Sequence, residues 1–309
     1  MQGFDQWLLD ALTRTPVDGI RSRTRFRALS AIRALRLKAS DPLVQFSLDS
    51  FALRLPLSHD LPLYKRKFPQ YARNLGRISV ATSRKYAGLT ILDVGANVGD
   101  SAAILRSSVN SPILCVEGDD RFFSCLRENV RGLGDIEVDQ AFVGKKGDRV
   151  GIAYRGRGNV RASLDANAAP VEVRALSEIL ARHPRFSAAK LLKLDIEGFD
   201  CRVIACESDF LARSKPVLFF EYDPHLSEMT GQDALPTFSE LAKIGYSAVL
   251  IYQNVGDYLI SLSLSQTQAL EDVHHYFRRL RGYCDVAAFH RDDLDLFGAV
   301  RALELSTNP

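Results

Sequence analysis

The residues best suited to chemistry begin with a turn, Asp93-Val-Gly-Ala-Asn-Val-Gly-Asp100, that follows a short apolar run. Gly95 and Gly99 allow the backbone to turn tightly and to approach a ligand, and Asn97 is the next most tolerant residue in a left-handed conformation. A helix beginning after this loop would present free backbone N–H groups, which suit a carboxylate or a phosphate. The spacing therefore predicts a ligand-binding loop between a strand and a helix.

A second chemical signal is Glu117, which ends the next apolar run 22 residues after Gly95. An acid at an offset of roughly 20 residues reaches a ribose diol in dinucleotide-binding folds. Here, however, the glycines are four apart with an asparagine between them. Asp93 would repel a pyrophosphate but could accept hydrogen bonds from an ammonium group. We therefore expect an aminoacyl nucleoside rather than a dinucleotide. The predicted contacts are Asp93, Gly95, Ala96, Asn97, Gly99, Asp100, Ser101, Glu117, Gly118, Asp119, Ala141 and Phe142.

The elements that must position these residues alternate between short apolar runs and helical patterns. Continuous apolar strands alternating with helices are typical of a mostly parallel sheet covered on both faces, here of seven strands. Ligands of such sheets bind beyond the carboxyl ends of the strands. Predicted strands are 90–94, 113–117, 136–143, 191–196, 217–222, 248–252 and 284–290, and predicted helices are 99–106, 121–131, 176–182, 199–207, 235–244 and 266–281.

Residues 1–85 are predicted to form an N-terminal extension, a lid or substrate region, before the main domain of residues 86–309. Residues 4–39 indicate two helices broken near Thr15-Pro16, because proline disfavours a helical predecessor. Residues 44–55 alternate in polarity and predict a hairpin that turns at Asp49-Ser50. Residues 57–69 are interpreted as a proline-punctuated loop, and residues 71–86 as a helix.

The sequence resembles the FkbM family of methyltransferases. The motifs that carry the resemblance are DVGANVGDS from Asp93, VEGDD from Val116, AFVGKKG from Ala141, KLDIEGFD from Lys193 and PVLFFEYDPH from Pro216, with LSHDLPLY from Leu57 upstream. The resemblance implies a Rossmann-like class I methyltransferase fold. It implies S-adenosyl-L-methionine as cofactor and O-methylation of a hydroxyl on a glycan or a natural-product-like small molecule. Relatives often carry Asp where Ser177 stands, which is interpreted as a helix cap.

Methyl transfer to oxygen needs an acceptor held in line with the donor and help in removing the hydroxyl proton. Carboxylates stand at the ends of the fourth and fifth predicted strands. Asp195 is the first choice for the residue next to the methyl group, as base or orienting group, and Glu197 the second, although Glu197 could instead cap a helix. Further catalytic candidates are Glu221 and His225. His59, Asp60 and Tyr222 are predicted to contact the acceptor.

Three further alternatives stay open on the sequence. Asp195, Glu221 and Asp223 could supply oxygen ligands to a divalent metal, but the expectation is that no metal is bound, because the Asp-Asn pair of metal-dependent catechol enzymes is missing. The second alternative is that the chain is a nucleic-acid methyltransferase. The third alternative is that the chain is a non-catalytic module that binds adenosylmethionine.

The composition of the chain indicates what kind of protein it is. The 309 residues are 46% hydrophobic and 25% charged, which favours a packed core over disorder. No apolar run approaches the roughly 20 residues of a membrane-spanning helix, and the N-terminus does not resemble a signal peptide. Five dispersed cysteines without a CxxC pair indicate reduced thiols. We therefore expect a cytoplasmic protein.

The charge is distributed unevenly. Residues 1–85 carry a net charge of +10 and the remainder −7. A stripe of arginines between residues 21 and 36 could touch nucleic acid, an acidic membrane surface or an anionic glycan. Apolar residues interleaved with it favour a helix that docks on the acidic core. Small-molecule or glycan acceptors, rather than nucleic acid, are the expected partners, and peripheral membrane contact stays open.

Overall fold

The computed structural model describes residues 2–148, 151–163 and 171–307. The N-terminal segment forms the two predicted helices and then the predicted hairpin, which turns at Asp49-Ser50. Residues 57–69, interpreted as a loop, contain a short helix instead. Pro62 lies in its first turn, where a missing backbone N–H costs nothing. The elements are α1 (Gln2–Arg14), α2 (Ile20–Ala39), β1 (Leu43–Leu48), β2 (Phe51–Pro56), α3 (Leu61–Lys67) and α4 (Arg73–Lys85).

The first half of the core begins at the predicted ligand-binding loop. The predicted strand over residues 136–143 is interrupted at Ala141, so it forms two short strands. A hairpin and a two-residue strand, none of them predicted, follow. The elements are β3 (Ile91–Val94), α5 (Asp100–Ser108), β4 (Ile113–Glu117), α6 (Asp120–Asn129), β5 (Ile136–Gln140), β6 (Phe142–Val143), β7 (Gly151–Gly156), β8 (Asn159–Ser163), β9 (Val173–Arg174), α7 (Leu176–Arg182) and β10 (Leu191–Leu194).

The second half contains four elements that the sequence patterns did not predict: the helices over residues 208–214, 224–229 and 294–307 and the strand over residues 258–263. The elements are α8 (Asp200–Cys206), α9 (Ser208–Ser214), β11 (Val217–Tyr222), α10 (Pro224–Met229), α11 (Pro236–Lys243), β12 (Tyr246–Gln253), β13 (Tyr258–Ser263), α12 (Thr267–Leu280), β14 (Cys284–His290) and α13 (Leu294–Thr307).

The main sheet has the strand order β13-β12-β14-β11-β10-β3-β4-β5. The five strands from β11 to β5 run parallel, while β14 is antiparallel to both of its neighbours and β13 is antiparallel to β12. The α/β class and the Rossmann-like arrangement are confirmed. The predicted count of seven strands is wrong, because β13 adds an eighth at the edge. This strand is half-exposed and carries two serines, so its apolar signal is weak.

Successive residues of each central strand pack into separate layers on the two faces of the sheet. Ile91 and Leu191 pack on one face with α4, α5 and α6, and Leu92 and Leu192 on the other face with α7 and α8. This alternation follows from the two-residue period of a strand. The same alternation determines which side chains near the end of each strand lie on the same face of the sheet. None of the helices in the described part of the chain is long and apolar enough to cross a membrane.

Candidate active site

A cavity of about 350 Å³ lies at the carboxyl ends of β3, β4, β10 and β11. The order of the sheet reverses between β3 and β10, which is where ligands bind in open α/β sheets. The N-terminal segment reaches the same cavity with His59, Asp60 and Tyr64, and the β7–β8 turn contributes Arg157 and Gly158. The cavity therefore joins the predicted ligand-binding loop to the N-terminal extension.

The loop after β3 is held against its neighbours by backbone contacts. The N–H groups of Gly95 and Ala96 both donate to the Val116 carbonyl, at 2.9 and 3.0 Å. Gly95 has a φ of +77°, and a Cβ on it would lie 1.9 Å from the backbone oxygen of Asp195. Asn97 also adopts a left-handed conformation, with a φ of 48°. Only glycine at position 95 lets the β3 loop approach the end of β10 this closely.

The carboxylate of Glu117 is held in position by backbone N–H groups at the cavity wall. Its Oε2 accepts a hydrogen bond from the backbone N–H of Asn97 at 2.9 Å, and its Oε1 accepts one from that of Asp119 at 2.7 Å. Burial raises the pKa of Glu117 to about 7, although these backbone hydrogen bonds act in the opposite direction. Each oxygen keeps a second lone pair that can accept a ligand hydroxyl.

His59 closes one side of the cavity through Asn97. Its Nδ1 accepts from the backbone N–H of Leu61 at 3.1 Å, so Nε2 carries the proton and donates to Asn97 Oδ1 at 3.1 Å. Asn97 Nδ2 donates to the Gly158 carbonyl at 2.6 Å. Burial lowers the pKa of His59, which favours the same neutral tautomer. The His59 ring is therefore committed to holding the loop.

Helix α2 holds the segment that carries His59. The Arg33 guanidinium donates to the backbone carbonyls of Leu57 and His59 at 2.8 and 3.1 Å. Its two terminal nitrogens also both donate to Asp60 Oδ1, at 3.0 Å each. Asp60 lines the cavity, but its carboxylate is partly engaged by this ion pair.

Lys193 of β10 lines the cavity beside the ligand-binding loop. Its buried Nζ lies 3.1 Å from Asp93 Oδ1, 3.6 Å from Asp195 Oδ2 and 3.1 Å from the carbonyl oxygen of Gly95. Burial lowers the pKa of Lys193, but the charges of Asp93 and Asp195 outweigh it and raise the pKa overall. The ammonium therefore joins β3 to β10 at the wall of the cavity.

Three carboxylates share the cavity face at neighbouring strand ends. Glu221 and Asp285 are register partners on the antiparallel pair β11 and β14, and Asp195 follows β10 beside them. Burial, then the charge of Asp195, raises the pKa of Glu221 well above its ordinary value. The same two causes raise the pKa of Asp285 to about 8. Asp195 is the more accessible of these acids, with a side chain 45% exposed.

Sequence reasoning missed Asp285, although the signal that singled out Glu221 was present there too. Each is an acid within an otherwise apolar strand, where an unpaired charge would be costly. Three tyrosines missed at the sequence level complete this end of the cavity, with Asn254 beside them. They are Tyr64, Tyr71 and Tyr283.

Some predicted residues lie outside the cavity. Tyr222 is fully buried on the opposite face of the sheet, where its hydroxyl contacts His274 Nδ1 at 2.8 Å. The prediction that it contacts the acceptor is wrong, because Glu221 and Tyr222 alternate and only Glu221 faces the cavity. His225 lies in the first turn of α10 and does not line the cavity.

Four of the predicted cofactor contacts act behind the cavity wall. Asp93 is fully buried, and its carboxylate meets Lys193 and accepts from Ser101 Oγ at 2.5 Å. Ala96 and Gly99 pack inward, and Asp119 caps α6 by accepting from two backbone N–H groups. The remaining predicted contacts do line the cavity: Gly95, Asn97, Asp100, Ser101, Glu117, Gly118, Ala141 and Phe142.

The arrangement separates two kinds of chemistry within one cavity. Around the β3 loop, Glu117 and the backbone of residues 95–101 offer hydrogen-bonding groups to a polar nucleoside. Around β10, β11 and β14, carboxylates and tyrosines surround a space that can receive a polyhydroxylated molecule. Within the described ranges, no group of three or more histidine, cysteine, aspartate or glutamate side chains has the geometry to hold a metal ion.

Comparison with known protein families gives a match over residues 93–248 to the methyltransferase FkbM domain. A comparison with curated proteins gives no match.

Among solved structures, the chain is similar to a methyltransferase FkbM from Methylobacillus flagellatus. The two are 13% identical with a TM-score of 0.40, over 92% of this chain and 58% of that one. A structure named EvdMO1 is 14% identical with a TM-score of 0.40, over 85% and 47%. A precorrin-6y C5,15-methyltransferase from Geobacter metallireducens is 12% identical with a TM-score of 0.35, over 69% and 86%. The chain thus spans about half the length of the first two proteins.

Proposed function

The chain belongs to the FkbM methyltransferase family, and from that premise we propose that it transfers a methyl group from S-adenosyl-L-methionine to a hydroxyl of a glycan or natural-product-like small molecule. The observation that carries this proposal is the juxtaposition of the Glu117 loop and the Asp195, Glu221 and Asp285 carboxylates in one cavity. The first suits an adenosine ribose. The second suits a hydroxylated acceptor that must lose a proton.

The residues around the β3 loop fit this cofactor by their donor chemistry. The Glu117 carboxylate is fixed by two backbone N–H groups and retains lone pairs for the two ribose hydroxyls. Asp100 lines the cavity nearby and can accept hydrogen bonds from an amino-acid ammonium group. Gly118 leaves room for the Phe142 ring, since a Cβ there would lie 2.4 Å from it. When bound, the cofactor supplies an electrophilic methyl group.

At the acceptor end of the cavity, the three carboxylates are proposed to have different roles. Asp195, accessible and beside Lys193, is proposed to take the hydroxyl proton or to orient the hydroxyl. Glu221 and Asp285 have raised pKa values, so near neutral pH their protonated forms can both donate to and accept from acceptor hydroxyls. The Glu221 Oε1 atom is buried without a hydrogen-bond partner within the described chain. An acceptor hydroxyl would satisfy it.

Addition of S-adenosyl-L-methionine, or of its demethylated product, is expected to stabilise the folded protein. At 100 times the dissociation constant, binding adds about 2.7 kcal/mol to the free energy of unfolding. A thermal unfolding assay checks this, with NAD as the matched control nucleotide. Stabilisation by NAD alone would contradict the cofactor assignment.

Glu117→Gln is expected to weaken binding of this cofactor by about 1.5–3 kcal/mol, the range for hydrogen bonds to a charged group. Glutamine keeps the size of the side chain and one acceptor oxygen, so it releases one of the two backbone N–H groups, whereas alanine would release those of both Asn97 and Asp119. Calorimetric titration measures the affinity, with Glu271→Gln on α12 as a control outside the cavity. Equal affinity in both variants would show that Glu117 does not bind the ribose.

A further inference from the structure

Helix α2 exposes an apolar stripe on the side that faces away from the rest of the protein. Ile20, Ile32 and Leu35 are 84%, 40% and 69% exposed. With 3.6 residues per turn, these three positions fall on one side of the helix with the exposed Ala28 and Ala31, and the exposed Thr24 and Lys38 lie on the same side. Burial of this stripe by another surface would remove apolar area from water.

Arginines flank this stripe on both sides. Arg21 and Arg25 follow one edge of it, and Arg23 and Arg27 follow the other, according to their helical positions. All four are exposed. Across residues 2–148, 151–163 and 171–307, no carboxylate lies within ion-pair distance of any of them. The four positive charges are therefore not used to hold this fold together.

The other two arginines of α2 form ion pairs with the rest of the protein. They show which side of the helix faces inward. Arg33 contacts Asp60 at 3.0 Å, and Arg36 contacts Asp5 of α1 at 2.7 Å. Both guanidinium groups are mostly buried. The inward side of α2 thus carries two structural ion pairs and the packed Phe26 and Leu29, while the outward side presents apolar and basic residues.

Helix α1 adds two exposed aromatic side chains to the N-terminal segment. Phe4 and Trp7 are 47% and 52% exposed, and their rings stack with centroids 5.7 Å apart. The Asp5–Arg36 ion pair places this end of α1 beside the C-terminal part of α2. Aromatic residues of this kind are enriched at the boundary between water and lipid.

We infer that the outward face of α2 docks on the surface of an anionic lipid bilayer. An interfacial helix buries an apolar stripe at the boundary of headgroups and acyl chains while basic residues contact lipid phosphates. A nucleic acid would also attract the arginines, but it would leave Ile20, Ile32 and Leu35 in water. The net charge of +10 on residues 1–85 matches a negative surface. This inference goes beyond the proposed function and does not depend on it.

Docking would bring the cavity close to the lipid. The inward side of the same helix holds residues 57–60 through Arg33, and His59 and Asp60 line the cavity. A helix with its side chains is about 10–12 Å across. This rim of the cavity would therefore lie roughly one helix diameter from the membrane surface.

Co-sedimentation of the full chain with vesicles tests the inference. We expect binding to vesicles of phosphatidylcholine with phosphatidylglycerol, little binding to phosphatidylcholine alone, and weaker binding at high salt. Each basic residue near such a surface contributes about fivefold to binding, so Arg21→Glu with Arg25→Glu should weaken it at least about 25-fold. Arg127→Glu with Arg131→Glu makes the same charge change elsewhere on the surface and should have a much smaller effect.

A second pair of variants separates lipid insertion from simple charge attraction. Ile32→Ser with Leu35→Ser should weaken vesicle binding at least about tenfold, whereas Leu280→Ser with Leu305→Ser, equally exposed at other sites, should not. Circular dichroism checks that all variants fold. Equal losses in both arginine pairs would overturn the inference. So would unchanged binding in the Ile32 and Leu35 variant, or tighter binding of duplex DNA through the same arginines.

Discussion

Asp195→Asn is expected to lower turnover by about 10²–10⁴-fold, the usual contribution of a general base, while affinity for the cofactor changes little. Asparagine preserves the shape of the side chain and most of its hydrogen bonding but removes its charge and basicity. Steady-state kinetics on a validated acceptor gives turnover, and calorimetry gives cofactor affinity.

Asp285→Asn is the matched control for this experiment, because it makes the same chemical change on the neighbouring wall of the cavity. On the division of work proposed above, it should raise the KM for the acceptor more than it lowers kcat. If Asp195→Asn instead abolishes cofactor binding, Asp195 belongs to the cofactor site. If turnover is unchanged, Glu221 becomes the candidate base, and Glu221→Gln should then produce the large loss.

Gly95→Ala is expected to abolish cofactor binding and to destabilise the fold by several kcal/mol. The residue has a φ of +77°, and the added Cβ would lie 1.9 Å from the Asp195 backbone oxygen and 2.8 Å from its carbonyl carbon. Both atoms belong to the backbone at the end of β10, so no side-chain rotation can relieve the overlap. The β3 loop and the β10 end must separate, and both walls of the cofactor site would move with them. Denaturant unfolding and calorimetric titration measure the two effects.

Gly147→Ala isolates the backbone contribution to this result. Gly147 has a φ of +88° but has nothing within 4 Å of the position of a Cβ. Its substitution should cost only about 1–2 kcal/mol, the penalty of a left-handed conformation, and leave cofactor affinity intact. Similar behaviour of the two variants would mean that the β3 loop can move without loss of the site.

The local parts of this molecule could be predicted from the sequence. Strands 113–117, 217–222 and 284–290 match the structure at both ends, because a mostly apolar run bounded by polar or turn residues is a signal contained in neighbouring residues. The ligand-binding loop was predictable for the same reason, since Gly95, Asn97 and Gly99 each report a backbone requirement at their own position. Helix α3 was missed because a proline that reads as a breaker is tolerated in a first helical turn.

Local patterns were thus sufficient to predict the order of most elements, the ligand-binding loop and the family resemblance. Which side chains meet is set by the order and register of the strands in the folded protein. Lys193 pairs with Asp93 because β10 lies next to β3, and Asp285 joins Glu221 because β14 inserts antiparallel beside β11. Strand order and register are contacts between residues far apart in the chain, so no local pattern encodes them. They placed Asp285 in the cavity and left Tyr222 outside it, since a one-residue step along a strand reverses the face to which a side chain points.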